Sequence, residues 1–251
     1  MKFRIIPMLL YKNGSLVTSI GFKDHRIVGD LTSSVRVFSK RQGDEMIIYD
    51  LDARQRGEPN YNLLKYAVEN CNMPLTMGGG IRSVDDASVL LDGGCDKISV
   101  SSLLYENLNI VSDIANKYGS QAVVASLDYV CTDYGRCFYS NNGQVSEGHL
   151  DINKFVQKLV DYGVGEITLN SIDRDGTMTG FDKNLIVSLG CNFKLPLIIA
   201  GGCQSADDIF FAEQHGFSGA AAGSIFYWKG DSISSLKSEL LTMGSNVRAI
   251  I

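Results

Sequence analysis

The chain has 251 residues, with 23 basic against 28 acidic side chains and a formal net charge of −5. Hydrophobic residues make up 45% and charged residues 20%, a composition that builds a packed core and excludes a disordered tail. The mild negative balance, without any Lys/Arg block, excludes a general nucleic-acid binder and a membrane-surface helix, and no run reaches the roughly 18 apolar residues that span a bilayer.

Short β-type runs recur in chain order at 4–6, 45–48, 75–77, 97–100, 122–125, 166–169, 197–199 and 219–222, with helix-like stretches at 85–92, 152–162 and 207–215 between them. The segment from about 12 to 30 reads as a loop. Strands alternating with helices imply parallel β-α-β units, and eight of them in about 250 residues match the α/β class as a single (β/α)8 TIM barrel. The run starts are spaced 41, 30 and 22 residues apart in the first half and 44, 31 and 22 in the second. Residues repeat at an offset of 122: Pro74 with Pro196, Gly79-Gly80 with Gly201-Gly202, Asp85-Asp86 with Asp207-Asp208, Ser102 with Ser224. The expectation is one domain over 1–251, made of half-barrels at about 1–121 and 122–251.

Active sites of such barrels lie at the C-terminal ends of the strands. Gly78-Gly79-Gly80 follows the third run and Ala200-Gly201-Gly202 the seventh; Ser101-Ser102 follows the fourth and Gly223-Ser224 the eighth. Glycine turns and helix starts of this kind cradle phosphates, although glycine at a β-α turn also serves tight packing. Carboxylates stand at strand ends as well: Asp50 and Asp52, Asp128, then Asp173 and Asp175. Asp52 and Asp173 read as turn or cap residues. Asp128 directly follows a strand core and is the first choice for acid or base work. Its counterpart in the first half is Leu10, which cannot move a proton. Arg4, Glu45, Lys97 and Glu166 open four runs, two of each sign, and converge as a charged ring at the barrel's lower end, where a structural role is the plain reading. His25, His149 and His215 match no nucleophile-base spacing. The six cysteines (71, 95, 131, 137, 191 and 203) lack C-x-x-C and paired Cys/His spacing, which reads as reduced thiols in a cytoplasmic protein with no metal site and no cofactor. The N-terminus shows no cleavable apolar leader.

Arg4-Ile5-Ile6-Pro7, Gly78-Gly79-Gly80-Ile81, Asp96-Lys97-Ile98-Ser99, the run Gly119-Ser120-Gln121-Ala122-Val123-Val124, the run Ser171-Ile172-Asp173-Arg174-Asp175-Gly176-Thr177, and Asn246-Val247-Arg248 resemble the cyclase subunit of imidazole glycerol phosphate synthase, the HisF family, essentially from end to end. The resemblance implies a glutaminase partner (HisH-type) docked on the lower face. It further implies an ammonia gate at Arg4, Glu45, Lys97 and Glu166, and a partner contact at Asp96. Phosphate sites are implied at Gly80, Ser101 and Ser102 on one side, and at Gly176, Gly202, Gly223 and Ser224 on the other, with Asp50 and Asp175 beside them. Serines replace the usual Asn-Thr pair after the fourth strand.

The chain departs from the family where the chemistry is done. Of the two family aspartates the second is Asp128, but the first is Leu10, and the lysine of the loop after the first strand is replaced by Thr18. Loss of one partner of an acid/base pair costs orders of magnitude in cyclisation. A paralogous branch of the family works with a glutaminase and a third, amidotransferase-type protein in surface-polysaccharide synthesis. There ammonia turns an acetamido into an acetamidino group on a phosphorylated or nucleotide-linked sugar precursor. The resemblance points to that activity. The alternatives are the histidine-pathway cyclase itself, with Asp50 or Asp175 compensating for Leu10, and a non-catalytic barrel that binds and activates a glutaminase.

Overall fold

Apolar runs bounded by glycine turns, each followed by a capped amphipathic stretch, can bury both faces by closing a sheet and wrapping it in helices. The computed structural model describes residues 2–189, 193–229 and 232–250. Its strands are β1 (Arg4–Lys12), β2 (Ser15–Ile20), β3 (Lys23–Gly29), β4 (Met46–Asp50), β5 (Leu75–Gly78), β6 (Lys97–Val100), β7 (Val123–Thr132), β8 (Gly135–Ser140), β9 (Val145–His149), β10 (Glu166–Ser171), β11 (Leu197–Ala200) and β12 (Gly219–Ala222). The helices are α1 (Leu31–Lys40), α2 (Ala53–Arg56), α3 (Tyr61–Asn70), α4 (Val84–Asp92), α5 (Leu103–Glu106), α6 (Leu108–Tyr118), α7 (Ile152–Asp161), α8 (Lys183–Leu189), α9 (Ala206–Gln214), α10 (Ser224–Trp228) and α11 (Ile233–Thr242). Strands β1, β4, β5, β6, β7, β10, β11 and β12 pair in parallel, and β12 returns to β1, so the eight form a closed (β/α)8 barrel.

Helix starts follow local side-chain chemistry: Asp30 accepts from Ser33 N at 2.9 Å, Asn60 from Leu63 N at 3.0 Å and Ser83 from Asp86 N at 3.1 Å. Several bonds recur about 122 residues on. Arg82 N donates to Asp86 Oδ2 at 2.9 Å and Gln204 N to Asp208 Oδ2 at 3.0 Å. Asp96 N donates to Leu75 O at 2.9 Å, and Ser218 N to Leu197 O at 2.8 Å. Side chains alternate across each strand, so Ile5 and Leu9 join the large core between barrel and helices while Ile6 and Met8 join a small core inside the barrel.

The stretch 12–30 is not a plain loop. It forms an antiparallel hairpin, β2 and β3, added to β1, and β8 and β9 do the same after β7. The signal was local: Asn13-Gly14 adopts φ of 49° and 80°, the left-handed pair of a two-residue hairpin turn. Asp52, expected as a turn or cap residue, stands at the N-cap of α2, and Asp173 lies in the single helical turn after β10; both carboxylates also pin these additions. Asn13 N donates to Asp52 Oδ2 at 2.5 Å and Cys131 N to Asp173 Oδ2 at 2.6 Å. Cys71, Cys95, Cys131, Cys137 and Cys203 are unbridged, whereas Cys191 lies outside the described residues. Among the described residues no helix is long and apolar enough to cross a membrane.

The barrel's lower end is tied to the last helix by a buried ion pair that the sequence did not advertise. Lys237, on α11, donates to Asp44 Oδ1 and to Gln42 O, each at 2.7 Å, and Asp44 Oδ2 accepts from Ile5 N at 2.8 Å. Both side chains are 2% exposed. Lys237→Met takes the buried cation from the Asp44 carboxylate, leaving it the exposed Arg248 Nε at 3.9 Å, and is expected to cost about 3–5 kcal/mol in urea unfolding, with part of that loss recovered in the Lys237→Met, Asp44→Asn double variant.

Candidate active site and charged ring

The even-numbered positions of β1 point inward, and the ladder register carries the same face around the barrel. At the bottom of this interior the four expected charges meet. Arg4 Nη1 lies 2.7 Å from Glu45 Oε2 and 2.9 Å from Glu166 Oε2; Lys97 Nζ lies 2.9 Å from Glu45 Oε1 and 3.2 Å from Glu166 Oε2. The carboxylate side chains are 3% and 7% exposed, so each must be neutralised where it stands. Burial works against the Arg4 charge, but the pull of Glu166 and Glu45 prevails and raises its pKa. Thr76 Oγ1 donates to Glu45 at 2.9 Å, just above the ring. Asp96 stands exposed on the lower rim, its carboxylate accepting from Leu75 N at 2.8 Å.

At the opposite end of the barrel axis opens a cavity of about 480 Å³. Leu10, Asp50, Asp128 and Asp175 line it, together with Gly80, Ser101 and Ser102. Gly176, Gly202, Gly223 and Ser224 line an adjoining recess of about 30 Å³, which also touches Leu10 and Asp175. The residues expected at the two phosphate turns are therefore gathered around one mouth. Their glycines, however, answer to packing: a Cβ on Gly80 would lie 2.6 Å from Glu58 O, one on Gly202 2.5 Å from Gly180 O, and one on Gly176 would strike Ser19 O. Ser101 carries a different signal, since its buried Oγ has no partner among the described residues.

The three carboxylates differ by environment. Asp128 ends the core part of β7 and accepts from Asn170 Nδ2 at 3.2 Å. Burial pushes its pKa up to about 7, with the Asn170 bond opposing and the Asp175 charge adding to the rise. Asp175 is pushed up to about 6, also by burial, while it accepts from Ser19 Oγ at 2.7 Å. Asp50 is held by Arg56 Nη2 at 2.5 Å.

Sequence reasoning missed part of this wall. Tyr49, Ser19, Asn170, Arg54 and Arg82 all line the cavity, as does His25, which the new hairpin carries to the mouth. His25 Nδ1 lies 3.3 Å from Lys12 Nζ, and burial, then the Lys12 charge, lowers its pKa. The Asn-Gly turn was the signal that could have placed it. Thr18 is buried in β2 and lines the recess. No group of three or more His, Cys, Asp or Glu side chains that could hold a metal occurs among the described residues.

A family model described as "Histidine biosynthesis protein" matches residues 4–231. The chain is 40% identical over 232 residues to a Leptospira borgpetersenii protein named "Putative imidazole glycerol phosphate synthase subunit HisF", covering 90% of this chain and 91% of that one. It is 36% identical over 250 residues to a Campylobacter jejuni protein named "Putative imidazole glycerol phosphate synthase subunit hisF2", covering 100% of each. Against the Flavobacterium johnsoniae "Imidazole glycerol phosphate synthase subunit HisF" the identity is 34% over 247 residues, 98% of each chain.

The raised Asp128 pKa has a sign that unfolding can read. The carboxyl is protonated in both states below its ordinary 3.8; between there and about 7 the folded chain holds a proton the unfolded one has lost, so stability falls as pH rises. Asp128→Asn removes that cost. The variant is expected to gain stability on the order of a few kcal/mol over the parent at pH 8 and almost none at pH 4, as measured by paired urea denaturation curves.

Proposed function

Because the chain belongs to the HisF family of imidazole glycerol phosphate synthase subunits, we propose that it is the ammonia-using barrel of a cytoplasmic glutamine amidotransferase complex whose acceptor has changed. A HisH-type glutaminase on the lower face delivers ammonia through the ring of Arg4, Glu45, Lys97 and Glu166, with Asp96 at that interface. The acceptor is an acetamido group on a surface-polysaccharide sugar precursor, which becomes an acetamidino group. The observation that carries this reading is the pairing of an intact lower ring with an upper mouth where Leu10 takes the place of the first catalytic carboxylate.

In this reading ammonia attacks the amide carbon, Asp128 takes the two protons that the attacking nitrogen loses one after the other and returns each to the former carbonyl oxygen, and that oxygen leaves as water. With a pKa near 7, Asp128 can both take and return a proton at neutral pH. Ser101 and Ser102, with the Gly80 turn, hold one phosphate of the precursor. Gly176, Gly202, Gly223 and Ser224 take the other end. Asp50 and Asp175 bind hydroxyl groups between them. Activation of the carbonyl oxygen falls to the third, amidotransferase-type protein.

Turnover of the histidine-pathway substrate, phosphoribulosyl aminoimidazole ribonucleotide, with excess ammonium at mildly alkaline pH tests the change of acceptor without any partner. The expected result is a rate lower than that of a Leu10→Asp variant by about 10²–10⁴-fold, the usual worth of a positioned acid or base. Robust turnover by the unaltered chain would make it a histidine-pathway cyclase. Amidino product from an acetamido nucleotide sugar in the reconstituted complex, absent in Asp128→Ala, would supply the positive result.

A further inference from the structure

The guanidinium groups of the mouth stand at one end only. No lysine or arginine lines the recess around Gly176, Gly202 and Ser224, whereas Arg54 and Arg82 line the main cavity beside the Gly80 turn. Local packing brings both there. A Cβ on Gly79 would come within 3.1 Å of Ala53 Cβ and 2.5 Å of Asp50 O, so α2 lies directly against the turn. Arg54 is the next residue of α2, and Arg82 follows Gly80 by two positions. Arg82 reaches back across α2, where its Nη2 donates to Arg54 O at 3.2 Å. Both arginines are exposed while Gly80 and Ser101 are half-buried, so the pair sits on the outer side of the turn.

Neither arginine has an acidic partner. Arg4, Arg56 and Arg136 each lie within 3.0 Å of a buried carboxylate, but Arg54 and Arg82 make no ion pair among the described residues. At this end of the cavity Asp50 is matched by Arg56, and Glu106 alone stands against the two, which leaves a positive excess. Cations gathered on a concave rim without their counter-charge favour an anion, and a guanidinium fork matches phosphate oxygens two at a time. The neighbouring turn gives an independent sign of a ligand. Ser101 Oγ is buried without a partner among the described residues, and a buried hydroxyl calls for one.

We propose that Arg54 and Arg82 form a second phosphate subsite, outward of the one at Gly80, Ser101 and Ser102, so that this end of the mouth takes a diphosphate. The inference rests on the reading of a phosphorylated sugar acceptor and narrows its class. The sugar is joined to its carrier through two linked phosphates, the inner one at the serines and the outer one at the arginines. The acetamido group then points along the mouth toward Asp128, and the carrier leaves the barrel over α2 and the start of α4. The arginines bind and orient; no bond is made or broken there. A nucleoside and a lipid carrier present the same diphosphate.

Isothermal titration calorimetry on the isolated chain, with neither ammonia nor an acetamido acceptor present, reads this subsite whatever becomes of the amidino chemistry. In a low-salt buffer with a chelator, pyrophosphate is expected to bind about tenfold or more tightly than orthophosphate. Arg54→Gln and Arg82→Gln are each expected to weaken pyrophosphate by about tenfold, the worth of a hydrogen bond to a charged group, and orthophosphate by less than about threefold. Ser101→Ala is expected to weaken both anions. Lys154→Gln removes a positive charge from the exposed face of α7 and is expected to change neither. Equal affinity of the parent chain for the two anions, or a loss in the arginine variants no larger than in Lys154→Gln, overturns the proposal. Uridine diphosphate and geranyl diphosphate separate the carriers. Tighter binding than pyrophosphate by one of them, lost in Arg54→Gln, supports the subsite and identifies the carrier, and binding of both that survives both arginine variants overturns it. Arg82→Gln also gives up the bond to α2; if it does not fold, Arg54→Gln carries the comparison.

Discussion

Everything above the barrel floor depends on four charges that cannot be left alone. Glu45 and Glu166 are buried at the lower ends of their strands, and a buried carboxylate without a cation costs several kcal/mol. Arg4 and Lys97 each touch both of them, so four strands from different parts of the chain must start at one level. A slip of one residue in any strand would turn its charge out to the helices and its neighbour in. The ring therefore sets the register in which every higher interior layer follows, up to Asp128 and Leu10. The same ring closes the lower end of the axis with paired polar groups.

Above that floor the interior is unusually polar for a packed barrel. Three hydroxyls and an amide, on Ser99, Ser126, Thr168 and Asn170, occupy positions where branched apolar side chains normally fill the layers. Tyr49 makes this tolerable by placing its ring on the apolar side and its hydroxyl on the polar side. One glycine, Gly78, pays for the arrangement by giving up its side chain. The mouth shows the same tension in another form. Asp128 and Asp175 are held with raised pKa values by burial, a cost to folding that leaves protons mobile near neutral pH.

Much of the site was legible before any coordinates. Alternating runs and the 122-residue offset led to the barrel. Strand-end and strand-start positions then separated the mouth residues from the ring, because in a parallel barrel all strand ends lie on one side. The hairpins were not read, although Asn13-Gly14 carries the turn chemistry of the first, and with them went His25 and the contacts that Asp52 and Asp173 make to the hairpins. Tyr49, Asn170 and Lys237 carried no local signal at all. A tyrosine in an apolar run looks like core, and a lysine on an amphipathic helix looks like surface.

The sequence by itself determined the order of the eight barrel strands, the family, and the presence of Leu10 where the matching position of the second half holds Asp128, since each follows from periodicity, spacing or residue identity along the chain. Tertiary structure alone decided which polar groups share a buried space. Asp50 is taken by Arg56, Asp44 by Lys237, and the Tyr49 hydroxyl by serines from two other strands. Those pairings depend on distances between residues far apart in the chain, and on how much water the packing removes around them. Burial and partner together set a group's charge and reach, and neither is written in its neighbours along the chain.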